Sequence, residues 1–136
     1  MKTPWRPREM VAYLGGHASR AELVALGASP QWIDLNVWYR HILPTRKGWY
    51  ASKGTHPAIL AALRVGGRLA CESAVAWHEG REVPEPLHVL VGYGASRLGR
   101  GAVVHWTRRE LRGSRLVVDE ELARRQAATC RARRRG

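Results

Sequence analysis

The side chains best suited to binding a transition metal are a cysteine and three histidines in the second half of the sequence: Cys71, His78, His88 and His105. Structural zinc sites usually hold two pairs of ligands, with about two to five residues between the members of a pair. These four residues lack that paired spacing, so we expect structural roles for them and no metal or other cofactor. The two cysteines, Cys71 and Cys130, lie far apart, which favours reduced thiols over a disulfide.

Side chains for nucleophilic or hydrolytic catalysis are sparse. Ser73 and His78 offer a nucleophile and a base on one short helix, but no acidic residue is placed to orient the histidine and no glycine-rich elbow surrounds the serine. A metal-dependent nuclease needs clustered carboxylates. The two aspartates of the chain, Asp34 and Asp119, fall in separate regions. We therefore expect the protein not to be an enzyme.

Positive charge is the most pronounced feature of the composition, with a formal net charge of +12 in 136 residues. Residues 1–55 hold eight basic against three acidic side chains (net +5), residues 56–99 hold four of each, and residues 100–136 hold eleven against four (net +7). Each cation placed on a phosphate releases condensed counterions and adds affinity. Two basic flanks around a neutral middle therefore favour binding to a nucleic acid.

The first 54 residues predict three short helices followed by a hairpin. We expect helices over residues 8–13, 20–26 and 29–40, and strands over residues 42–45 and 49–51. Ser19 and Glu22 fit a capping box before the second helix, and Ser29-Pro30 is a typical start for the third. The basic turn Arg46-Lys47-Gly48 joins the two strands. Three helices and a basic hairpin in this order are typical of a winged helix-turn-helix.

Residues 55–130 predict a small α+β domain. We expect helices over residues 58–64, 71–78 and from Asp119 to about residue 130, and strands over residues 87–91, 102–106 and 115–118. The strands are short and separated by Gly-rich or Arg-rich turns, so we expect a small antiparallel sheet. Residues 131–136 hold four arginines without apolar periodicity, which predicts a basic disordered tail. The fold class is therefore α+β, with a winged helix-turn-helix over residues 1–54 followed by this domain.

A winged helix-turn-helix places its second motif helix in the major groove, where side chains reach base edges. Five residues on the third predicted helix are therefore candidates for DNA contact: Gln31, Trp32, Asp34, Asn36 and Arg40. Core packing is the competing role for Trp32 and also for Trp38, and we expect Ile33 to be buried against the second helix. Three basic residues in and after the hairpin are expected to contact phosphates or the minor groove: Arg46, Lys47 and Lys53.

An ordered set of short motifs also carries a family resemblance. They are Gly15-Gly16, Ser19-Arg20-Ala21-Glu22-Leu23, Leu26-Gly27, the helix that begins at Ser29, and Arg46-Lys47-Gly48-Trp49-Tyr50-Ala51. Together they resemble the N-terminal winged-helix domain of the AbiEi family of type IV antitoxins, and residues 66–74 and 87–91 resemble the second domain of actinobacterial members. The sequence departs from the family pattern at Arg40-His41, where a glycine is common between the third helix and the wing.

The resemblance implies a bacterial or phage DNA-binding regulator, a repressor that binds an operator in double-stranded DNA. It further implies that the C-terminal part opposes a nucleotidyltransferase-like toxin. We expect the chain to lack the endonuclease domain that actinobacterial relatives often carry. Two alternatives stay open: an antitoxin or interaction protein that acts mainly by protein contact, and a non-catalytic remnant of a longer endonuclease-type protein. Without a membrane-length apolar run or a signal sequence, we expect a cytoplasmic protein with no membrane contact.

Overall fold

The computed structural model describes residues 5–135, and its fold is α+β. Within these residues there are six helices and two small three-stranded sheets. The chain divides into two compact units, Met1–His56 and Pro57–Gly136, called the first and second unit below. The division falls two residues after the domain boundary that the sequence suggested.

The first unit contains three helices and one sheet. In chain order the elements are α1 (Pro7–Tyr13), β1 (His17–Ser19), α2 (Arg20–Ala25), α3 (Pro30–Trp38), β2 (Ile42–Arg46) and β3 (Trp49–Ser52). The three helices and the hairpin expected from the sequence are all present. The additional strand β1 pairs with β3 in the sheet order β1-β3-β2, and both pairings are antiparallel.

Side-chain caps fix where α2 and α3 begin. Ser19 Oγ accepts a hydrogen bond from Glu22 N at 3.1 Å, and Glu22 Oε1 accepts one from Ser19 N at 3.0 Å, so the predicted capping box is confirmed. Ser29 Oγ accepts from Trp32 N at 3.1 Å, directly before Pro30 at the first helical position. The start of each helix is therefore determined by local sequence.

The core of the first unit lies between the three helices and the sheet. Its largest fully buried side chains are Met10, Val11, Leu23, Ile33 and Ile42. The expected burial of Ile33 is thus confirmed. Because Ile33 faces this core, the opposite side of α3 faces solvent.

The second unit combines three helices with a mixed sheet. Its elements are α4 (Pro57–Val65), β4 (Arg68–Leu69), α5 (Cys71–His78), β5 (Leu87–Gly92), β6 (Ala102–Thr107) and α6 (Glu120–Arg135). The sheet order is β4-β5-β6. The expected antiparallel sheet is wrong for one of its two pairs, because β5 and β6 run parallel. The predicted strand over residues 115–118 is reduced to a single bridge between Leu69 and Val117.

The path between β5 and β6 accounts for their parallel pairing. A hairpin would reverse the chain within about two to five residues. Instead the connecting segment runs back past the end of α4, where Gly99 N donates to Val65 O at 2.9 Å. A Cβ on Gly99 would lie 3.1 Å from Val65 Cα, so glycine permits this close approach. The chain therefore re-enters the sheet with Ala102 beside Leu87, at the same end from which β5 started.

The C-terminal helix is longer than the sequence suggested. Disorder was expected over residues 131–136, but α6 continues to Arg135, and residue 136 lies outside the described residues. Arginine is a good helix former, Arg134 forms an ion pair with Glu72 of α5, and Ala123 and Ala127 are buried on the same helix. Across residues 5–135, none of the helices has both the length and the apolar character that a bilayer crossing requires.

Candidate functional site

The exposed face of α3 is formed by four residues at the i, i+3, i+4, i+7 spacing of one helix side. They are Gln31, Asp34, Leu35 and Trp38. Leu35 is 51% exposed and Trp38 is 81% exposed, unusually high values for large apolar side chains. The exposure of Trp38 rules out the core role that competed for it. We call these four residues the α3 face.

Two of the residues predicted to contact DNA lie on the core side of α3. Asn36 is only 8% exposed, and its Nδ2 donates to the Trp32 carbonyl at 2.8 Å. Trp32 is half-buried and packs against the core cluster. The structure therefore places Asn36 away from the exposed face of α3, with its amide already bonded inside the unit. Trp32 takes the core role that competed with DNA contact.

Asp34 belongs to the α3 face but is held by an ion pair. Arg20 Nη1 donates to Asp34 Oδ1 at 2.9 Å and to Tyr50 Oη at 3.0 Å. The hydrogen bond from Arg20 lowers the pKa of Asp34, and the bonds to Asp34 and Tyr50 raise the pKa of Arg20. One guanidinium thus joins α2, α3 and β3. Asp34 therefore acts as a positioning residue that sets α3 relative to the hairpin.

Arg40 has an unusual backbone conformation just after α3, with φ 58°. Arg40 N donates to Val37 O at 3.0 Å and His41 N donates to Asn36 O at 2.9 Å, the hydrogen bonds of a Schellman motif. The same motif ends α1 and α2, where the left-handed position is filled by Gly15 and Gly27. For a residue with a Cβ this conformation costs about 1–2 kcal/mol. The chain therefore keeps a glycine-type turn here with an exposed arginine in it.

The hairpin carries basic side chains on a braced turn. Lys47 is exposed at the turn between β2 and β3, Arg46 is half-buried at the end of β2, and Lys53 is exposed just after β3. The His17 ring stacks on Trp49 with the ring centroids 4.9 Å apart, which ties the base of the turn to β1. The three basic residues predicted for phosphate contact thus sit at and beside the ends of β2 and β3.

A second cluster of chemically capable side chains lies in the second unit. It brings together one residue from each of α5, β5, β6 and α6: Cys71, His88, His105 and Cys130, called the Cys/His cluster. Their ligand atoms all lie within 4.8 Å of one another. His78, which the sequence grouped with three of them, is elsewhere and donates to Val118 O at 2.8 Å. Cys130 was missed because nothing in its local sequence connects it with the other three.

Burial dominates the electrostatics of the Cys/His cluster. It lowers the pKa of His88 and of His105, which favours the neutral form of both imidazoles. Burial, reinforced by Cys130, raises the pKa of the Cys71 thiol to about 12. Cys71 itself adopts φ 54°, a conformation that non-glycine residues rarely take.

The catalytic pair considered from the sequence does not assemble. Ser73 is fully buried and its Oγ accepts a hydrogen bond from His88 N at 2.9 Å, while His78 is bonded to Val118. Each residue therefore has a separate structural partner.

Comparison with known proteins gives no family assignment. No protein-family model matches the chain, and no curated protein sequence matches it. The resemblance to AbiEi antitoxins therefore stays a prediction from short motifs.

Proposed function

We propose that the first unit is a winged helix-turn-helix and that the protein is a sequence-specific DNA-binding transcription regulator. In this assignment α2 and α3 are the helix-turn-helix pair, the α3 face enters the major groove, and the hairpin of β2 and β3 is the wing. The observation that carries the proposal is Arg40, an exposed arginine kept at a turn position that favours glycine, directly between the reading helix and the wing. Strained residues that persist are concentrated at functional sites.

The charges of the first unit support the same assignment. Basic residues exceed acidic ones by five over residues 1–55. Lys47 and Lys53 are exposed near the ends of the wing strands, and Arg40 is exposed at the junction with α3. Exposed cations in the proposed wing and at its junction with an exposed helix face suit contact with the phosphates that border a groove.

The regulator is proposed to be a cytoplasmic repressor of the antitoxin type. Its operator is double-stranded DNA upstream of its own gene, and its second unit contacts a nucleotidyltransferase-like toxin. This part of the proposal is supported by the AbiEi resemblance alone. The proposal includes no catalytic activity.

A second candidate function, contact with another protein, is favoured by the apolar part of the same surface. Leu35, Trp38 and the adjacent Tyr39 are all more than half exposed. Exposed groups of large apolar side chains commonly mark protein interfaces. Replacing Trp38 by alanine separates the two functions. If the surface binds a protein, the variant should change oligomeric state or partner binding. If the surface reads DNA, the variant should change DNA affinity alone.

The wing is expected to contribute affinity that is independent of sequence. Replacing Arg46 and Lys47 together by alanine should reduce the steepness of the plot of log K against log salt by about 1 to 2. The variant loses two phosphate contacts, so its binding releases fewer counterions. Fluorescence anisotropy with a random-sequence duplex over a range of salt concentrations measures this slope. Affinity for all duplexes should fall by a similar factor.

A matched variant controls for the loss of two positive charges. Arg64 and Arg81 lie in the neutral middle of the sequence, outside both basic flanks, and both are exposed, so replacing both by alanine removes the same formal charge. This control should keep the wild-type slope. A wing variant whose slope equals that of the wild type would show that the hairpin does not contact phosphates.

Replacing Arg40 by glycine should affect the stability of the first unit and its affinity for DNA differently. Arg40→Gly removes a left-handed strain of about 1–2 kcal/mol, which offsets or exceeds the entropy cost of a glycine, about 0.5–1 kcal/mol. We expect the variant to be at least as stable as the wild type in urea denaturation, yet to bind duplex DNA more weakly. If the Arg40→Gly variant is stabilised and its affinity for DNA is unchanged, Arg40 does not contribute to DNA binding.

A further inference from the structure

We infer that the Cys/His cluster is a structural zinc site that joins α5 and α6 to the sheet of the second unit. A zinc site here differs from the sequence-based expectation of no metal, and it is independent of DNA binding. Four side chains that lie far apart in the sequence converge on one point in the fold.

The distances within the cluster suit tetrahedral coordination. With Zn–N bonds of about 2.0 Å and Zn–S bonds of about 2.3 Å, ligand atoms around a tetrahedral zinc lie about 3.3–3.8 Å apart. His88 Nδ1 lies 3.0 Å from His105 Nε2, and His105 Nε2 lies 3.9 Å from Cys130 Sγ. No pair of ligand atoms is more than 4.8 Å apart, so small side-chain adjustments complete the shell.

The donor atoms select the class of metal. Two cysteine sulfurs and two imidazole nitrogens are the Cys₂His₂ set of structural zinc sites. The cluster includes no carboxylate, so it does not suit calcium or magnesium, which prefer oxygen ligands. Two thiolates also neutralise the charge of a divalent zinc ion, which matters beside the arginines at the end of α6.

The backbones of two ligands are held in place by their neighbours. Ser73 Oγ accepts from His88 N at 2.9 Å, and Gln126 Oε1 accepts from Cys71 N at 3.0 Å. The second of these bonds ties the start of α5 to α6, the helix that supplies Cys130. Such preorganisation reduces the entropy that four ligands lose when a metal binds.

The second unit also has a structural use for a metal and a route for it. Its residues 57–136 form a small unit, and β6 is only half-buried at the edge of the sheet. Small units commonly add a metal to a limited core. His88, His105 and Cys130 line an open cleft of about 1100 Å³, through which an ion can reach the cluster.

The direct test uses Co²⁺ as a spectroscopic probe on the intact, reduced and chelator-treated chain. We expect one equivalent to bind, with the strong visible absorption of tetrahedral cobalt and a near-ultraviolet thiolate-to-cobalt band, both abolished when Zn²⁺ displaces it. Only weak octahedral absorption, or no saturable binding, would overturn the site. A native protein isolated with Cys71 and Cys130 as a disulfide, and unable to bind Co²⁺ after reduction, would overturn it as well.

Variants locate the bound ion. Cys130→Ala and His105→Ala change half-buried positions, and each should weaken metal binding roughly 100-fold by removing one of four ligands. His78→Ala is the matched control, a histidine of the same unit that lies outside the cluster, and it should keep the wild-type affinity. Ligand variants that bind Co²⁺ as tightly as the wild type would overturn the assignment. The wild-type titration decides the question alone if a variant fails to fold.

Discussion

Replacing Ile33 by alanine will lower the free energy of unfolding of the first unit by about 2–5 kcal/mol. Ile33 is fully buried among Met10, Leu23 and Ile42, so the truncation leaves a cavity that this small core cannot readily fill. A unit of this size has a total stability of only about 3–8 kcal/mol. Binding to operator and to random DNA should therefore fall together, through unfolding.

Leu35→Ala is the matched control, because Leu35 lies on the same helix but on its exposed face. Its effect on stability should be within about 0.5 kcal/mol. Urea denaturation of the full chain, followed through the amide NMR signals of residues 5–56, separates the first unit from the second. A stable Ile33→Ala variant that loses DNA binding would contradict the core role of Ile33.

Gln31→Ala should have the opposite effect to Ile33→Ala. It should reduce discrimination between operator and random DNA without reducing the stability of the first unit. Gln31 is exposed near the start of α3, and a glutamine in the major groove can bond adenine in a bidentate way. Each such pair contributes about 1–3 kcal/mol of discrimination. We expect operator affinity to fall by that amount and random-DNA affinity to stay nearly constant, in competition assays at one fixed salt concentration.

Asn36→Ala provides the comparison for Gln31→Ala, since it removes a second amide from the same helix. The Asn36 amide faces inward and is bonded to Trp32 O, so its removal should leave the ratio of operator to random-DNA affinity unchanged. If Gln31→Ala also leaves this ratio unchanged while the fold is intact, α3 is not the reading helix. An equal fall in both affinities without unfolding would mean that Gln31 holds a phosphate.

Features set by a few neighbouring residues could be predicted from the sequence. The caps at Ser19 and Ser29 are confirmed, and so is Asp119, whose Oδ1 accepts from Leu122 N at 2.9 Å at the start of α6. These caps depend on side chains that reach backbone groups three residues away. The starts of helices therefore follow from local sequence.

Features set by distant residues could not be predicted in the same way. The orientation of Asn36 was missed because α3 is apolar nearly all round, which hides its core face. The parallel pairing of β6 depends on the contact between Gly99 and Val65. The Cys/His cluster draws one ligand from each of four elements, so no local spacing indicates it.

Sequence-specific reading of DNA through the α3 face can be measured by a gel-shift assay with the intact chain. The probe is the DNA immediately upstream of its own coding sequence, challenged with random-sequence competitor at moderate salt. We expect a retained complex that excess random competitor does not remove, and we expect the Gln31→Ala variant to lose this complex. Equal competition by random DNA would show that the α3 face does not read a sequence and would leave only non-specific binding by the basic flanks.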